Sequence, residues 1–529
     1  MGRLVGAVAL FLVAVSCAGD RSKSTLDQTD PLDRAVSAMG GQEKLGAIET
    51  YVAKGTATHW EPHQSVKPGG EMRLAGDSTF VVTRSFSKGA ARTEWVRKMV
   101  YPSPREYRFT EIVTPAAGAV EGIDSTALPK RELDGNPPMR SMSGMRLAAA
   151  QRELLRTSPN LIWMMKSVPA AVSRHGSAYF YRPGNVEFVV TFDPATGFPA
   201  RIGTRDADNI EGDSSYDLVL SDWRDVSGVK IAHKQSYELN GREVIRIQID
   251  EAQVNPPVAA AQLEVPAVLR AAAAKPAAGP VPYQWVIRRQ FIGTYLDSDA
   301  VSFDSDAVSG LKLTDVSPGI SQVVGGSHNS LVVEMADHLI VFDAPISEWQ
   351  SRWTIDAAKA KYPGKPVKYL VQTHHHMDHA GGARTYVAEG ATVLVGKGSQ
   401  AHFQKIFAAS HSIDDDTLEE KPRAAQVEEV ADRRPLSDGK RTVEVLLVEN
   451  PHAEGMLIGY VADARLGWVT DLWNAGRDKL GDKPTPGQAA LVAAVKRLSS
   501  TPERFAGGHG SVAEYAPLAK LAEQPQAAR

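Results

Sequence analysis

The decapeptide THHHMDHAGG, residues 373–382, constrains this chain more than any other segment. It follows the apolar run VKYLV, which predicts a buried strand that ends where His and Asp crowd together. Alternate residues of an extended loop point the same way, so the first two potential ligands can reach one metal ion while the last two turn toward a second. These four residues are His374, His376, Asp378 and His379. Imidazole nitrogens with one carboxylate oxygen suit zinc, and iron and manganese also accept that mixture.

Three further donors follow hydrophobic stretches nearer the end of the chain. They are His452, Asp471 and His509. Donors at the ends of buried strands occupy the positions where α/β proteins place their sites. Together with the motif they supply ligands for two metal ions, so the sequence predicts a binuclear site.

From about residue 313 to the end, the chain resembles the metallo-β-lactamase superfamily through this motif and the three later donors. The resemblance implies an αββα sandwich, in which two mixed sheets lie between helices and the metals lie on loops along one edge. It implies that Asp343, in LIVFDAP, is the structural aspartate that ends the second strand. It also implies how the ligands divide: His374, His376 and His452 on the first metal, Asp378, His379 and His509 on the second, and Asp471 bridging both.

The chemistry expected of such a site follows from charge. Two divalent cations a few Å apart lower the pKa of a shared water until it is hydroxide near neutral pH, and this bridging hydroxide is the expected nucleophile. The cations also polarise the oxygen under attack, so no Ser or Cys nucleophile is required. Asp378 is expected to be a ligand first, and to orient the hydroxide and pass its proton to the leaving group second. The expected cofactors are two divalent metal ions, with Zn2+ favoured.

Ligand identity narrows the reactions that the resemblance implies. His376 stands where the flavo-diiron oxygen reductases of the superfamily carry Glu, which disfavours redox chemistry. Asp471 is shared by thioesterases, lactonases and phosphodiesterases, whereas the best-known zinc β-lactamases carry Cys near that position. We therefore expect a hydrolase that acts on a carboxylic ester, lactone or thioester in a small-molecule substrate. The alternatives are a β-lactamase and a non-enzymatic envelope protein that binds lipid or lipoprotein and holds structural metals.

Charge and the first residues predict where the protein acts. A net charge of -3 and a pI near 6.6 offer little attraction to a polyanion, so no nucleic-acid partner is expected. A short basic start and the apolar run of residues 4–15 predict a signal peptide over residues 1–17. Cys17, the single cysteine, resembles the lipid-modified residue of the bacterial lipobox; an ordinary signal peptide is the alternative. We expect an exported protein anchored by lipid to the cell envelope through a tether, residues 18–30.

Two domains are expected beyond the tether, in an α+β fold. Residues 31–255 show one helical pattern, a helical interlude at residues 145–165 and recurrent strand patterns, which predict a curved antiparallel sheet with helices. The pattern of predicted hairpins in this region resembles that of lipoprotein-carrier half-barrel domains. The resemblance implies a concave apolar surface able to hold a lipid acyl chain or a peptide. The alternative is a scaffold that packs against the hydrolase domain. Residues 256–282 are a Pro- and Ala-rich linker to the hydrolase domain, residues 283–529.

The remaining histidines lack the spacing of metal ligands. His375 lies between two ligands and is expected to point away from the metals. His328 also lacks that spacing, although the loop that carries it, residues 325–330, is expected to lie over the metals and to contact substrate.

Overall fold

The computed structural model describes residues 30–124, 138–276 and 310–523. The signal peptide with Cys17, nearly all of the tether and the end of the linker lie outside the described residues. In the described part of the chain, no helix is both long enough and apolar enough to cross a membrane.

The N-terminal region is built on one antiparallel sheet, which has thirteen strands within residues 50–254 as described. Their bounds are Thr50–Glu61 (β1), Arg73–Ser85 (β2), Ala90–Met99 (β3), Arg105–Val113 (β4), Gly118–Ile123 (β5), Met139–Ser141 (β6), Val172–His175 (β7), Ala178–Tyr181 (β8), Phe188–Phe192 (β9), Pro199–Asp208 (β10), Gly212–Val226 (β11), Val229–Leu239 (β12) and Arg242–Val254 (β13). The first strand pairs with the last at the centre of the sheet, so β6 and β7 form the two edges. Burial alternates along β1, as expected where one face of a strand covers a core.

Helices pack against this sheet. Their bounds are Pro31–Ala38 (α1), Gln42–Gly46 (α2), Gly144–Arg156 (α3), Leu161–Ser167 (α4) and Ala267–Ala271 (α5), with 3-10 turns at Pro169–Ala171 and Ala260–Leu263. α3 and α4 lie between the edge strands in the chain, and Leu147 and Met165 join the core that the strands bury. The predicted helical interlude is thus two helices, and Pro159 lies at the break because it has no N–H to continue a helix. The expected antiparallel sheet with helices is confirmed.

The C-terminal region has two sheets. The first contains Lys312–Ser317 (β14), Ile320–Val324 (β15), Ser330–Glu334 (β16), Leu339–Phe342 (β17), Val367–Val371 (β18), Thr392–Gly396 (β19) and Gln426–Val430 (β20). The second contains Arg433–Ser437 (β21), Thr442–Val448 (β22), Met456–Val461 (β23), Leu466–Val469 (β24), Arg504–Gly507 (β25) and Val512–Glu514 (β26). Both are mixed: the first turns parallel from β17 to β20, and the second is parallel only between β24 and β25.

Helices cover the outer faces of the two sheets. Their bounds are Glu348–Lys361 (α6), Met377–Ala380 (α7), Ala383–Glu389 (α8), Gln400–Ala408 (α9), Thr417–Glu420 (α10), Pro486–Val495 (α11) and Ala516–Glu523 (α12). One buried cluster joins α6, α8 and α9 to the first sheet, and another joins α11 and α12 to the second. Between the sheets lies a third cluster with Phe342 and Trp468, both 0% exposed, and each such side chain contributes about 1.5–3 kcal/mol on burial. The expected αββα sandwich is confirmed.

The two regions contact each other through loops of the N-terminal sheet. At the tip between β10 and β11, Asn209 donates to the carbonyl of Ile346 at 2.7 Å. Asp213 accepts from the hydroxyls of Ser410 and Ser412 at 2.7 and 2.6 Å. Burial raises the pKa of Asp213, but these hydroxyls outweigh that effect and lower the pKa to about 2. The interface therefore favours an ionised carboxylate.

Candidate metal centre

The motif begins as expected and then changes conformation. β18 ends at Val371, and the chain stays extended to His376 (φ -65°, ψ 142°). It then enters the short helix α7, so Asp378 and His379 lie on a helical turn, where the sequence predicted a loop. Gly381 needs its missing side chain, because a Cβ there would lie 2.1 Å from the carbonyl oxygen of Ile346.

Asp343 links the motif to the end of β17 through hydrogen bonds. Its Oδ1 accepts from the backbone N–H and the hydroxyl of Thr373 at 2.8 and 2.7 Å. Its Oδ2 lies 3.3 Å from Nε1 of Trp468 and 3.6 Å from Nδ1 of His379. Asp343 itself has φ +60°, a left-handed conformation that costs a non-glycine residue energy. These contacts give Asp343 the positioning role that the resemblance implies.

The first group of ligand atoms comes from four residues. They are His374, His376, His452 and Asp471, and their ligand atoms lie within 4.8 Å of one another. Nε2 of His374, Nδ1 of His376 and Nε2 of His452 are buried, and none of them makes a well-aligned hydrogen bond to a described residue, although the first and the third lie 3.1 Å from Oδ2 of Asp471. Three orphaned nitrogens converging beside a carboxylate suit a cation, because each leaves a lone pair unused if its ring is neutral.

The second group lies next to the first. It consists of His328, Asp378, His379 and His509, again with ligand atoms within 4.8 Å of one another. Asp471 reaches both groups: its Oδ2 is 3.1 Å from Nε2 of His374, and its Oδ1 is 2.5 Å from Nε2 of His509. The structure thus brings together all seven residues named from the sequence, with Asp471 in the position of a bridge.

His328 is the member of this second group that sequence reasoning missed. Its Nε2 lies 3.1 Å from Oδ2 of Asp378, and its ring centroid is 4.2 Å from that of His509. The glycine pair before it indicated a loop over the metals, but its distance from the motif along the chain left no spacing to mark it as a ligand.

Burial and neighbouring charges favour the protonation states that metal ligands need. Burial lowers the pKa of His374 to about 4 and that of His376 well below its usual value. Burial raises the pKa values of Asp378 and Asp471, but nearby imidazoles outweigh it and hold both carboxyl groups well below their usual range. His379 differs: burial lowers its pKa, but Asp471, together with Asp343 and Asp378, outweighs that effect and raises it well above the usual value. The imidazoles of His374 and His376 and the carboxylates of Asp378 and Asp471 are therefore ready to bind cations, whereas His379 must release a proton to do so.

The N-terminal sheet supplies outer contacts to this centre, which the sequence did not predict. The segment between β1 and β2 places the carbonyl of Ser65 2.9 Å from Nε2 of His376, and this contact leaves Nδ1 of that ring for a metal. Nε2 of His375 lies 2.9 Å from the same oxygen, and His375 is in neither ligand group. Gln64 donates from Nε2 to Oδ1 of Asp378 at 2.6 Å.

Two more side chains of the N-terminal region contact the metal centre or its outer partners. Tyr101 donates its hydroxyl to Oε1 of Gln64 at 2.5 Å. Arg73 donates from Nη2 to the carbonyl of His452 at 2.8 Å, and its guanidinium carbon lies 4.7 Å from the centre of the Tyr101 ring. Residues from two distant parts of the chain therefore surround one cluster of metal-binding groups.

The fold and the two groups of ligands together define the C-terminal region as a metal-binding hydrolase domain. Residues 323–509 match the model of the Metallo-beta-lactamase superfamily, which confirms the resemblance for the C-terminal domain. The linear primary-alkylsulfatase of Pseudomonas sp. is 38% identical over 86 residues, 16% of this chain. The match spans only 13% of that protein's length.

Solved structures with some similarity include two enzymes of different kinds. A stereoselective inverting sec-alkylsulfatase of Pseudomonas sp. is 18% identical, with 39% of each chain covered and a TM-score of 0.29. A metallo-beta-lactamase from Pontibacter korlensis is 15% identical, with 41% of this chain and 100% of that chain covered and a TM-score of 0.31.

Proposed function

We propose that this protein is a hydrolase that uses two divalent metal ions, with zinc favoured, and acts on a carboxylic ester, lactone or thioester. The observation that carries the proposal is the pair of adjacent ligand groups with Asp471 between them. A structural zinc is bound by its own separate set of ligands, whereas here two ligand groups lie side by side and Asp471 is within reach of both.

Different residues of the metal centre have different roles in the proposed reaction. When bound, the two cations lower the pKa of a water molecule toward neutrality and polarise the bond under attack. His374, His376 and His452 would hold one cation through ring nitrogens, and the carboxylate of Asp471 is within reach of both groups. Asp378 accepts a proton at Oδ2, and His328, 3.1 Å away, relays it toward the leaving group.

A sulfate ester is a second candidate for the bond that is cleaved. The alkylsulfatase relative supports it, although that relative is matched over a short segment. β-Lactam hydrolysis is the weaker alternative, because the ligand set lacks the Cys of the best-known zinc β-lactamases.

The experiment is a substrate screen with the zinc-reconstituted protein. Esters, lactones, thioesters, alkyl sulfates, phosphodiesters and the β-lactam nitrocefin are offered in parallel, and we expect turnover in one of the first three classes. His374→Ala should abolish it, because this variant removes a fully buried ligand. Turnover that survives His374→Ala would assign the activity to a different site. A loaded protein that hydrolyses none of the compounds would contradict the proposal and favour the non-enzymatic alternative.

We also propose that the protein is exported and held at the cell envelope by lipid on Cys17. Incorporation of a labelled fatty acid into the full chain, and its loss in Cys17→Ser, would test this proposal. In this setting the N-terminal sheet is a candidate for binding a lipid or a peptide. A cavity of about 120 Å³ supports that idea, with walls that include Phe80, Trp95 and Ile247.

A further inference from the structure

The residues of the metal centre differ in their exposure to solvent. The side chains of His374 and His379 are 0% exposed, whereas that of His452 is 20% exposed and that of Asp378 is 19% exposed. His452 and Asp378 are the most exposed members of the two ligand groups, so a substrate can approach past them. Both of these residues are also contacted by the N-terminal sheet, so this sheet lines the entrance.

Arg73, the first residue of β2, stands at this entrance. It is half-buried, and the carbonyl of His452 takes one of its five N–H donors. Among the described residues, no carboxylate lies within ion-pair distance of it. Several of its N–H donors are therefore left for a ligand beside His452.

The position of Arg73 is held by a chain of contacts. Its guanidinium lies on the ring of Tyr101, Tyr101 donates to Gln64, and Gln64 donates to Asp378. Such support fixes the planar group before any ligand binds, and a fixed fork of donors matches the oxygens of a sulfate, carboxylate or phosphate. A residue that only linked the two domains would need the hydrogen bond to the carbonyl of His452 and nothing more. The guanidinium of Arg73, which has no carboxylate partner among the described residues, therefore indicates a further role.

We propose that Arg73 is a specificity-determining residue, which binds an oxyanion group of the substrate beside the bond that the metal centre cleaves. The inference rests on the proposed hydrolase function and refines it: the preferred substrates are anionic, whether the anion is a sulfate ester or a carboxylate on an ester substrate. Arg73 and the substrate anion form charge-assisted hydrogen bonds next to the bond under attack.

Binding is tested first, because it does not depend on turnover. The probe is hexanesulfonate, with hexanol as its uncharged match, titrated calorimetrically into the zinc-loaded full chain. We expect the wild type to bind the sulfonate and Arg73→Gln to weaken binding by about 10- to 100-fold, the usual range for a hydrogen-bonded charge. Arg73→Lys should restore part of the loss, since it keeps the charge without the fork. Arg108→Gln, an exposed arginine on β4 of the same sheet, is the control and should bind like the wild type.

Turnover measurements then distinguish a role of Arg73 in substrate recognition from a role in folding. Two 4-nitrophenyl esters of equal length, one uncharged and one with a terminal carboxylate, are compared in the same variants. Arg73→Gln should raise KM for the charged ester about 10-fold or more and leave the uncharged ester unchanged.

Each failure has a distinct meaning. Equal sulfonate affinity in the wild type and Arg73→Gln would overturn the inference, as would no sulfonate binding by the wild type. An equal loss for both esters would overturn it too, because it would make Arg73 a structural clamp. Hydrolysis of neither ester, or of any screened compound, would count against the proposed function, while the calorimetric result would still decide the role of Arg73.

Discussion

Gln64→Leu is expected to weaken metal binding from a different domain than the one that carries the ligands. Gln64 is 4% exposed and lies in the segment between β1 and β2. Its amide nitrogen is 2.6 Å from Oδ1 of Asp378, and its amide oxygen accepts from Tyr101. Leucine fills much of the same space but makes neither bond. The variant therefore removes the polar support of one ligand and leaves the seven predicted ligands and His328 in place.

The magnitude follows from the charge on the acceptor. A hydrogen bond to an ionised carboxylate contributes about 1.5–3 kcal/mol, which corresponds to about 10- to 150-fold in an equilibrium constant. Outer partners of metal ligands commonly change affinity by about 10- to 100-fold, which agrees with that range. Since Asp378 belongs to the second ligand group, the loss should fall on one of the two metals. We expect that metal to bind about 10- to 100-fold more weakly.

The assay is competition for zinc against a chromophoric chelator, which resolves a tight and a weak equivalent. Gln248→Leu is the matched control, because this half-buried glutamine of β13 bonds only to a backbone carbonyl of its own sheet, that of Ile249. It should bind both metals as the wild type does. If Gln64→Leu also binds both equivalents with wild-type affinity, the N-terminal sheet does not support the metal centre and the reasoning is refuted.

Three further predictions concern stability and proton transfer. Asp343→Ala leaves the buried backbone N–H of Thr373 without its acceptor, so the free energy of unfolding in urea should fall by about 1–3 kcal/mol, and an unchanged midpoint would contradict this. The pKa of Asp213 is lowered to about 2 in the folded protein, so the unfolded chain takes up its proton first and stability should fall as the pH drops from about 4 toward 2. Asp213→Asn should show less of this acid loss in melts at pH 5 and pH 3, and an identical pH dependence would count against it. His328→Ala should lower kcat about 100-fold, the usual value of a positioned proton relay, while an unchanged kcat would remove His328 from the mechanism.

The sequence was most informative where ligands are spaced by local geometry. The motif after β18 brings four donors together over a few residues, and three later donors each end or follow a strand. The ends of these strands, which belong to both sheets, meet at one edge of the sandwich, so these seven residues could be named without coordinates. The αββα sandwich followed from the same residues through the resemblance, and its strands match apolar runs such as VKYLV.

The sequence was least informative where contacts cross between distant segments. Gln64 and Asp378 are 314 positions apart, and Arg73 and His452 are 379 apart, so no periodicity could pair them. His328 was not identified for the same reason, because the residues that it contacts lie in the motif and after β25. The helical turn at Asp378 was also missed, because four residues are too few to show a helical period. Tertiary packing decides such features, and local propensity does not record it.

Anomalous diffraction at the zinc edge, from crystals of the zinc-loaded protein that lacks residues 1–17, tests the central claim most directly. The account predicts two peaks a few Å apart on either side of the Asp471 carboxylate. One should lie among His374, His376 and His452, and the other beside Asp378 and the remaining histidines of the second group. A single peak, or a pair that lies away from Asp471, would contradict it.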